Sequence, residues 1–324
     1  MIRLSLKIFA VVANSSKEVV SAKLLNHITF AGPDPRKLAK TAEIADFDNS
    51  GEVPPHGVRE LTVAKMRRAF TPVSVAKKTY KIFECVIFDM IGKFIVPSEQ
   101  GAIFSHNAVE HELNLRFVYP VRRANAETFI EVLAALLVFI EQTPNEMVFR
   151  IFRADAGSVY TSEKVRSWLK ARGIKAQYAN VETPHQIAIA ERNHGILLSM
   201  MRAMMALSHA PKSMWAAALI YAAFLCNHMA SEYKVNATAQ IPYMSLGMTY
   251  MREFMFPFGC LVWIHRSKQK VEDGKLDVRA NYAIYIGVGM TQGVKGIKVL
   301  TSSGHIETSI HYGVDKTYFP WRPE

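Results

Sequence analysis

The chain has 324 residues, 50% of them hydrophobic, and its 39 Lys plus Arg against 28 Asp plus Glu leave a formal charge of +11. That length accommodates two or three domains, and that apolar content excludes a disordered chain. The cationic surplus, with a pI near 9.5, favours polyanionic partners through counterion release. Cys85, Cys226 and Cys260 are odd in number and widely spaced, which excludes a disulfide framework and points to a reducing compartment.

The N-terminal run from Met1 to Ala13 is apolar with basic residues, but Lys7 interrupts it and no cleavage region follows, so no secretion signal is expected. No apolar stretch reaches the roughly 20 residues a bilayer requires, so no membrane segment is expected. Lys81 to Phe88 reads as a buried strand, with Asp89 emerging at its carboxyl end before a bend at Gly92. Further strands are predicted around Phe104, over Arg116 to Val121, and over Met147 to Phe152. Asp155 follows the last of these in a turn closed by Gly157. Pro184 opens a helix on which Ile187, Glu191, His194, Leu198, Met201 and Met205 recur every three or four residues. Trp215 to Met229 reads as a buried helix. Beyond about residue 251 the signals become short strands over Cys260 to Ile264, Tyr282 to Val288, Ile297 to Thr301 and His305 to Ile310, with glycines in the turns between them. Such a series suggests a small barrel.

Asp89, Asp155 and Glu191 are the candidate metal-binding and catalytic residues. Attack on a phosphodiester needs an acidified nucleophile and a neutralised leaving oxygen, which two Mg²⁺ ions roughly 3.5–4 Å apart supply together. Mg²⁺ keeps most of its waters and takes one or two carboxylates, so three acids suffice. Each acid alone also reads as a turn, cap or helix-dipole residue. A Glu within an apolar stripe, however, is costly to bury without a cation or other partner. His185 and His194 have no metal-ligand spacing, and a satisfied or exposed histidine is the better reading of both.

The text around the acids carries more. Thr183-Pro184-His185-Gln186-Ile187-Ala188-Ile189-Ala190-Glu191-Arg192-Asn193 resembles the Thr-Pro-Gln-Gln-Asn-Gly-Val-Ala-Glu-Arg-Asn block of integrases from Copia-type LTR retrotransposons. Arg153 to Tyr160 resembles that family's Arg-Ser-Asp-Asn-Gly-Gly-Glu-Tyr block. Trp215 with Ala218, Asn227, Ile241-Pro242-Tyr243 with Gly247, Phe258-Gly259-Cys260, Lys275 to Ala280, and Tyr285 to Gly289 continue in the family's order. The resemblance runs from about residue 25 to the end. Departures are Ala156 for Asn, Ser158-Val159 for Gly-Glu and Ile187-Ala188 for Asn-Gly.

The resemblance implies a ribonuclease-H-like mixed α/β sheet flanked by helices over residues 73–250, and an SH3-like β-rich barrel over 251–324. It implies that Asp89 bridges two Mg²⁺ or Mn²⁺ ions, with Asp155 on one and Glu191 on the other. Arg192 and Arg202 would lie on or near a DNA-facing helix. Lys268 and Lys270, in a basic stretch with Arg266, Lys275 and Arg279, are further candidate DNA contacts, since phosphate binding needs this chemistry. A second basic cluster holds Lys65, Arg67, Arg68, Lys77, Lys78 and Lys81.

Residues 1–72 would correspond to the family's zinc-binding pre-integrase module, of the type His, His, Cys, Cys. Here His27 keeps the first ligand, Gly32 occupies the second position, and Val58 and Leu61 stand where the two Cys belong before Ala64-Lys65. A closed structural site needs four N or S ligands, so no zinc is expected. Poor order is then expected over the first ~70 residues, because metal binding supplies folding energy in such modules.

Three functions remain open at this point. The first is DNA integration by 3′-end processing and strand transfer, by a homo-oligomer acting in the nucleus, with the cytoplasm a second location. The second is a relic that only binds nucleic acid. The third is a ribonuclease acting on RNA–DNA hybrids, which the thirty-five residues between Asp155 and Glu191 and their flanking text disfavour.

Overall fold

The computed structural model describes residues 21–51, 80–179, 188–232, 239–265 and 279–323. Helices α1 (Ala22–Thr29) and α2 (Pro35–Ala45) come first. Ser21 Oγ accepts the Leu24 amide at 3.1 Å to start α1, and the Asp34 carboxylate accepts the Arg36 amide at 2.8 Å, with Pro35 in the first turn of α2. Phe30, Ala31 and Leu38 are buried in the same apolar cluster as residues of the later helices. Residues 21–51 are therefore folded and docked, which corrects the expectation of poor order for this part of the chain. Val58 and Leu61 lie outside the described residues.

A five-stranded mixed sheet follows. Its strands are β1 (Cys85–Gly92), β2 (Phe104–Glu110), β3 (Arg116–Val121), β4 (Ile151–Ala154) and β5 (Lys175–Tyr178), in the order β3-β2-β1-β4-β5. β1, β2 and β3 pair antiparallel, and β4 and β5 continue parallel to β1. Helix α3 (Ala126–Glu141) leads from the antiparallel part to β4, and α4 (Ser158–Thr161) and α5 (Glu163–Ala171) lead from β4 to β5. α3 is capped by the Asn125 side chain, which accepts the Thr128 amide at 2.9 Å.

The two faces of β1 meet different neighbours because side chains alternate along a strand. Val86 and Phe88 are buried with Phe129, Leu133 and Phe152, whereas Cys85 and Ile87 are buried with Ala190. Ala190 belongs to α6 (Ala188–Ser208), the long helix covering the second face. Pro184 and Ile187, expected to open this helix, lie outside the described residues. Both faces of the strand are thus covered, and its apolar run is continuous rather than alternating.

Two strand expectations need correction. Asp89 does not end β1: the strand runs on to Gly92, Asp89 pairs with Asn107, and Met90 and Ile91 pair with His106 and Ser105. β4 begins at Ile151 rather than Met147, because Phe149 is buried in the preceding segment and only Ile151 to Arg153 pair with β1.

Helix α7 (Trp215–Asn227) is buried along most of its length. Trp215 anchors the loop between β1 and β2, stacking on Phe94 at 3.8 Å and donating from Nε1 to the Val96 carbonyl at 3.0 Å. After a two-stranded ribbon of β6 (Ser231–Glu232) and β7 (Ala239–Gln240), the chain builds a second sheet. Its strands are β8 (Leu261–His265), β9 (Ala280–Thr291), β10 (Val294–Thr301), β11 (Ile306–Ser309) and β12 (Tyr312–Asp315), all antiparallel, in the order β11-β10-β9-β8-β12. The expected barrel is instead an open sheet among the described residues, since β11 and β12 form its two edges. Val262, Tyr285 and Val299 from this sheet share one core with Leu219, Tyr221 and Leu225 of α7.

Candidate active site

Asp89 and Asp155 are brought level by strand register. Ile87 of β1 lies opposite Arg153 of β4 in parallel pairing; two residues on, 87 + 2 and 153 + 2 give Asp89 and Asp155. β4 ends at Ala154, so Asp155 leaves the sheet beside Asp89. Asp89 alternates with Ile87 and so shares the face that α6 covers. Glu191 lies in the first turn of α6, one residue after the buried Ala190.

Local contacts fix both aspartates. Asp155 Oδ1 accepts the Gly157 amide at 3.0 Å. A Cβ at Gly157 would come within 2.9 Å of that oxygen, so glycine leaves the Asp155 carboxylate room to fold back onto the turn. Asp89 Oδ1 accepts the Met90 amide at 2.7 Å, and its Oδ2 lies 3.2 Å from His194 Nδ1. His194 is one helical turn beyond Glu191 on the same face of α6.

The electrostatics tie the three acids together. Burial pushes Asp89 up to about 6, the Met90 amide opposes that rise, and the negative charges of Asp155 and Glu191 add to it. Burial pushes His194 down to about 4. Near pH 7 the carboxylate is therefore charged and the imidazole neutral, so the 3.2 Å approach of Nδ1 to Oδ2 is that of a neutral ring to a carboxylate rather than an ion pair. His194 Nε2 is buried with no hydrogen-bond partner among the described residues. On the other side of the sheet the buried Tyr160 hydroxyl sits 3.2 Å from His106 Nδ1. Burial first, then the charges of Asp89 and Asp155, raise this phenol well above its usual value.

Among the described residues no three His, Cys, Asp or Glu side chains converge into a ready-made metal cage. The donor chemistry nonetheless fits a hard cation. Asp155 Oδ2 and both Glu191 oxygens have no hydrogen bond among the described residues, and the mutual repulsion felt at Asp89 is what a divalent ion would relieve. Arg192 and Arg202 are both exposed on α6 and have no ion pair among the described residues. Lys268, Lys270, Arg266, Lys275 and His185 lie outside the described residues. The sequence reading missed the contact of His194 with Asp89; its one signal was the three-residue spacing from Glu191.

No protein-family model matches the chain. It is 24% identical over 214 residues, 66% of its length, to the Retrovirus-related Pol polyprotein from transposon TNT 1-94 of Nicotiana tabacum. It is 23% identical over 164 residues, 51% of its length, to the Truncated transposon Ty1-A Gag-Pol polyprotein of Saccharomyces cerevisiae. Its homologues are retrotransposon Pol polyproteins. The chain spans only 16% and 14% of those two relatives. A solved structure of the catalytic core domain of BIV integrase is similar at 17% identity and a TM-score of 0.36, over 51% of this chain and 93% of that one. In this Pol-related chain no helix among the described residues is long and apolar enough to cross a membrane.

Proposed function

We propose that this chain is a Copia-type integrase that joins retrotransposon DNA ends to target DNA. The observation that carries this reading is the parallel register that sets Asp89 level with Asp155, beneath a helix whose first turn holds Glu191. Asp89, Asp155 and Glu191 would supply carboxylate oxygens to Mg²⁺ or Mn²⁺, and the ions would acidify the attacking hydroxyl and neutralise the leaving oxygen. His194, with Nδ1 3.2 Å from Oδ2, would help to orient Asp89 for ligation. Arg192 and Arg202, exposed on the same helix, bind DNA phosphates, and Lys268 and Lys270 are further phosphate contacts by their charge. Homo-oligomerisation and nuclear action follow from the need to hold two DNA ends at chromosomal DNA.

A relic that only binds nucleic acid is the second reading, favoured by the absence of a converged cage among the described residues. Incubating the full chain with element-end duplexes, target DNA and Mn²⁺ separates the two. Integration predicts joined products that fall on the order of 10³-fold in Asp155→Asn while DNA binding persists. Equal DNA binding by both proteins with no joined product from either would establish the relic.

A further inference from the structure

A cavity of about 530 Å³ opens between the loop joining β1 and β2, helix α7 and the second sheet. None of Asp89, Asp155, Glu191 and His194 lines it. Its size lies within the range of small-ligand pockets, roughly 300–1,000 Å³. Ile220 and Phe224, one turn apart on α7, form one wall with Val288 of β9 opposite. Ile220 is 43% exposed, an apolar side chain left open to solvent inside a concave site.

The polar lining includes two cations, Lys298 and Arg122, against one carboxylate, Glu99. Lys298 sits half-buried in the middle of β10, at a register shift against β9, and its ammonium has no hydrogen bond or ion pair among the described residues. The extra residue at that shift is Ile286 of β9, which also lines the cavity. Among the described residues Arg122 uses only its Nε, donating to the Gln100 carbonyl at 2.9 Å. The cavity's one carboxylate, Glu99, already accepts the Ser213 hydroxyl. An ammonium without a partner in a concave site can pair with a bound anion, and a guanidinium with free nitrogens suits a carboxylate.

We propose that this cleft binds a small apolar carboxylate. Its hydrocarbon body would lie against Ile220, Phe224 and Val288, and its carboxylate would meet Lys298 and Arg122. The site is independent of the acids on β1 and β4, so it stands or falls apart from the integrase reading.

Equilibrium dialysis of the full chain with radiolabelled decanoate tests it, with decanol and decyltrimethylammonium as neutral and cationic counterparts. The expected result is saturable binding of one decanoate per chain. Affinity should fall at least about tenfold in Lys298→Gln and for decanol, the loss of one charge-assisted contact. Binding should vanish in Ala217→Trp, which fills the cavity from α7. Circular dichroism and thermal melts check the fold of each variant, and Ile220→Gln, at an exposed position, replaces Ala217→Trp should that protein not fold. Unsaturable uptake, equal affinity in all variants, or equally tight binding of decanol or the ammonium would overturn the proposal. Binding of an acidic amphipathic peptide where decanoate fails would overturn it in favour of protein docking.

Discussion

Asp89→Asn is expected to make the metal-free chain more stable at pH 8 while removing its metal affinity. The fold raises the Asp89 carboxyl from 3.8 to about 6, chiefly through burial and then through Asp155 and Glu191. A raised folded value means that the stability tied to the protonated form is full below about pH 4 and is lost as pH rises through about 6. At pH 8 the wild-type chain bears this penalty, and asparagine does not. Asparagine keeps an acceptor for the Met90 amide. The expected gain is about 1–2 kcal/mol at pH 8, discounted from the full shift for the partial exposure of Asp89, and close to zero at pH 4. Urea unfolding at the two pH values measures it. Destabilisation at pH 8 would mean that the native surroundings favour the charged carboxylate, contrary to the electrostatics above.

Phe88→Ala is expected to cost about 3–5 kcal/mol and to disturb the acids indirectly. Phe88 is fully buried, with its ring 5.4 Å from Phe129 and 5.2 Å from Phe152. It immediately precedes Asp89 and points to the opposite face, so it seats the strand that carries the carboxylate. Phe152 belongs to β4, three residues before Asp155, and the Phe88–Phe152 contact helps hold the two strands in register. Denaturant unfolding should show the large loss, and metal affinity should fall even where the protein remains folded. A loss below about 1 kcal/mol would show that β1 is held mainly by its hydrogen-bond ladder.

The contrast between these substitutions marks what the sequence could reveal. β3 occupies Arg116–Val121, the span expected for it, and α7 starts at Trp215 as expected, because turn residues and apolar composition bound them clearly. Asp89 read as a strand end because β1 is covered on both faces, and a doubly covered strand lacks the alternation that would have shown the strand continuing to Gly92. The openness of the second sheet was not legible, since strand signals carry no information about whether the edges close. Nor was the docking of residues 21–51, which depends on Phe30 and Leu38 meeting residues far along the chain. Asp155 and Glu191 stood out through the blocks of sequence around them. His194 did not, because its role comes from α6 crossing β1, a long-range contact without a local signature.

Mn²⁺ titration by calorimetry of the full chain, beside the double variant Asp89→Asn with Asp155→Asn, asks whether the acids share an ion. The full chain is needed because Phe30 and Leu38 complete the core. Saturable Mn²⁺ binding is expected in the wild-type protein and its disappearance in the double variant, with both proteins folded. Equal binding in the two, or none in either, would contradict it and leave the acids adjacent in the fold without a shared ion.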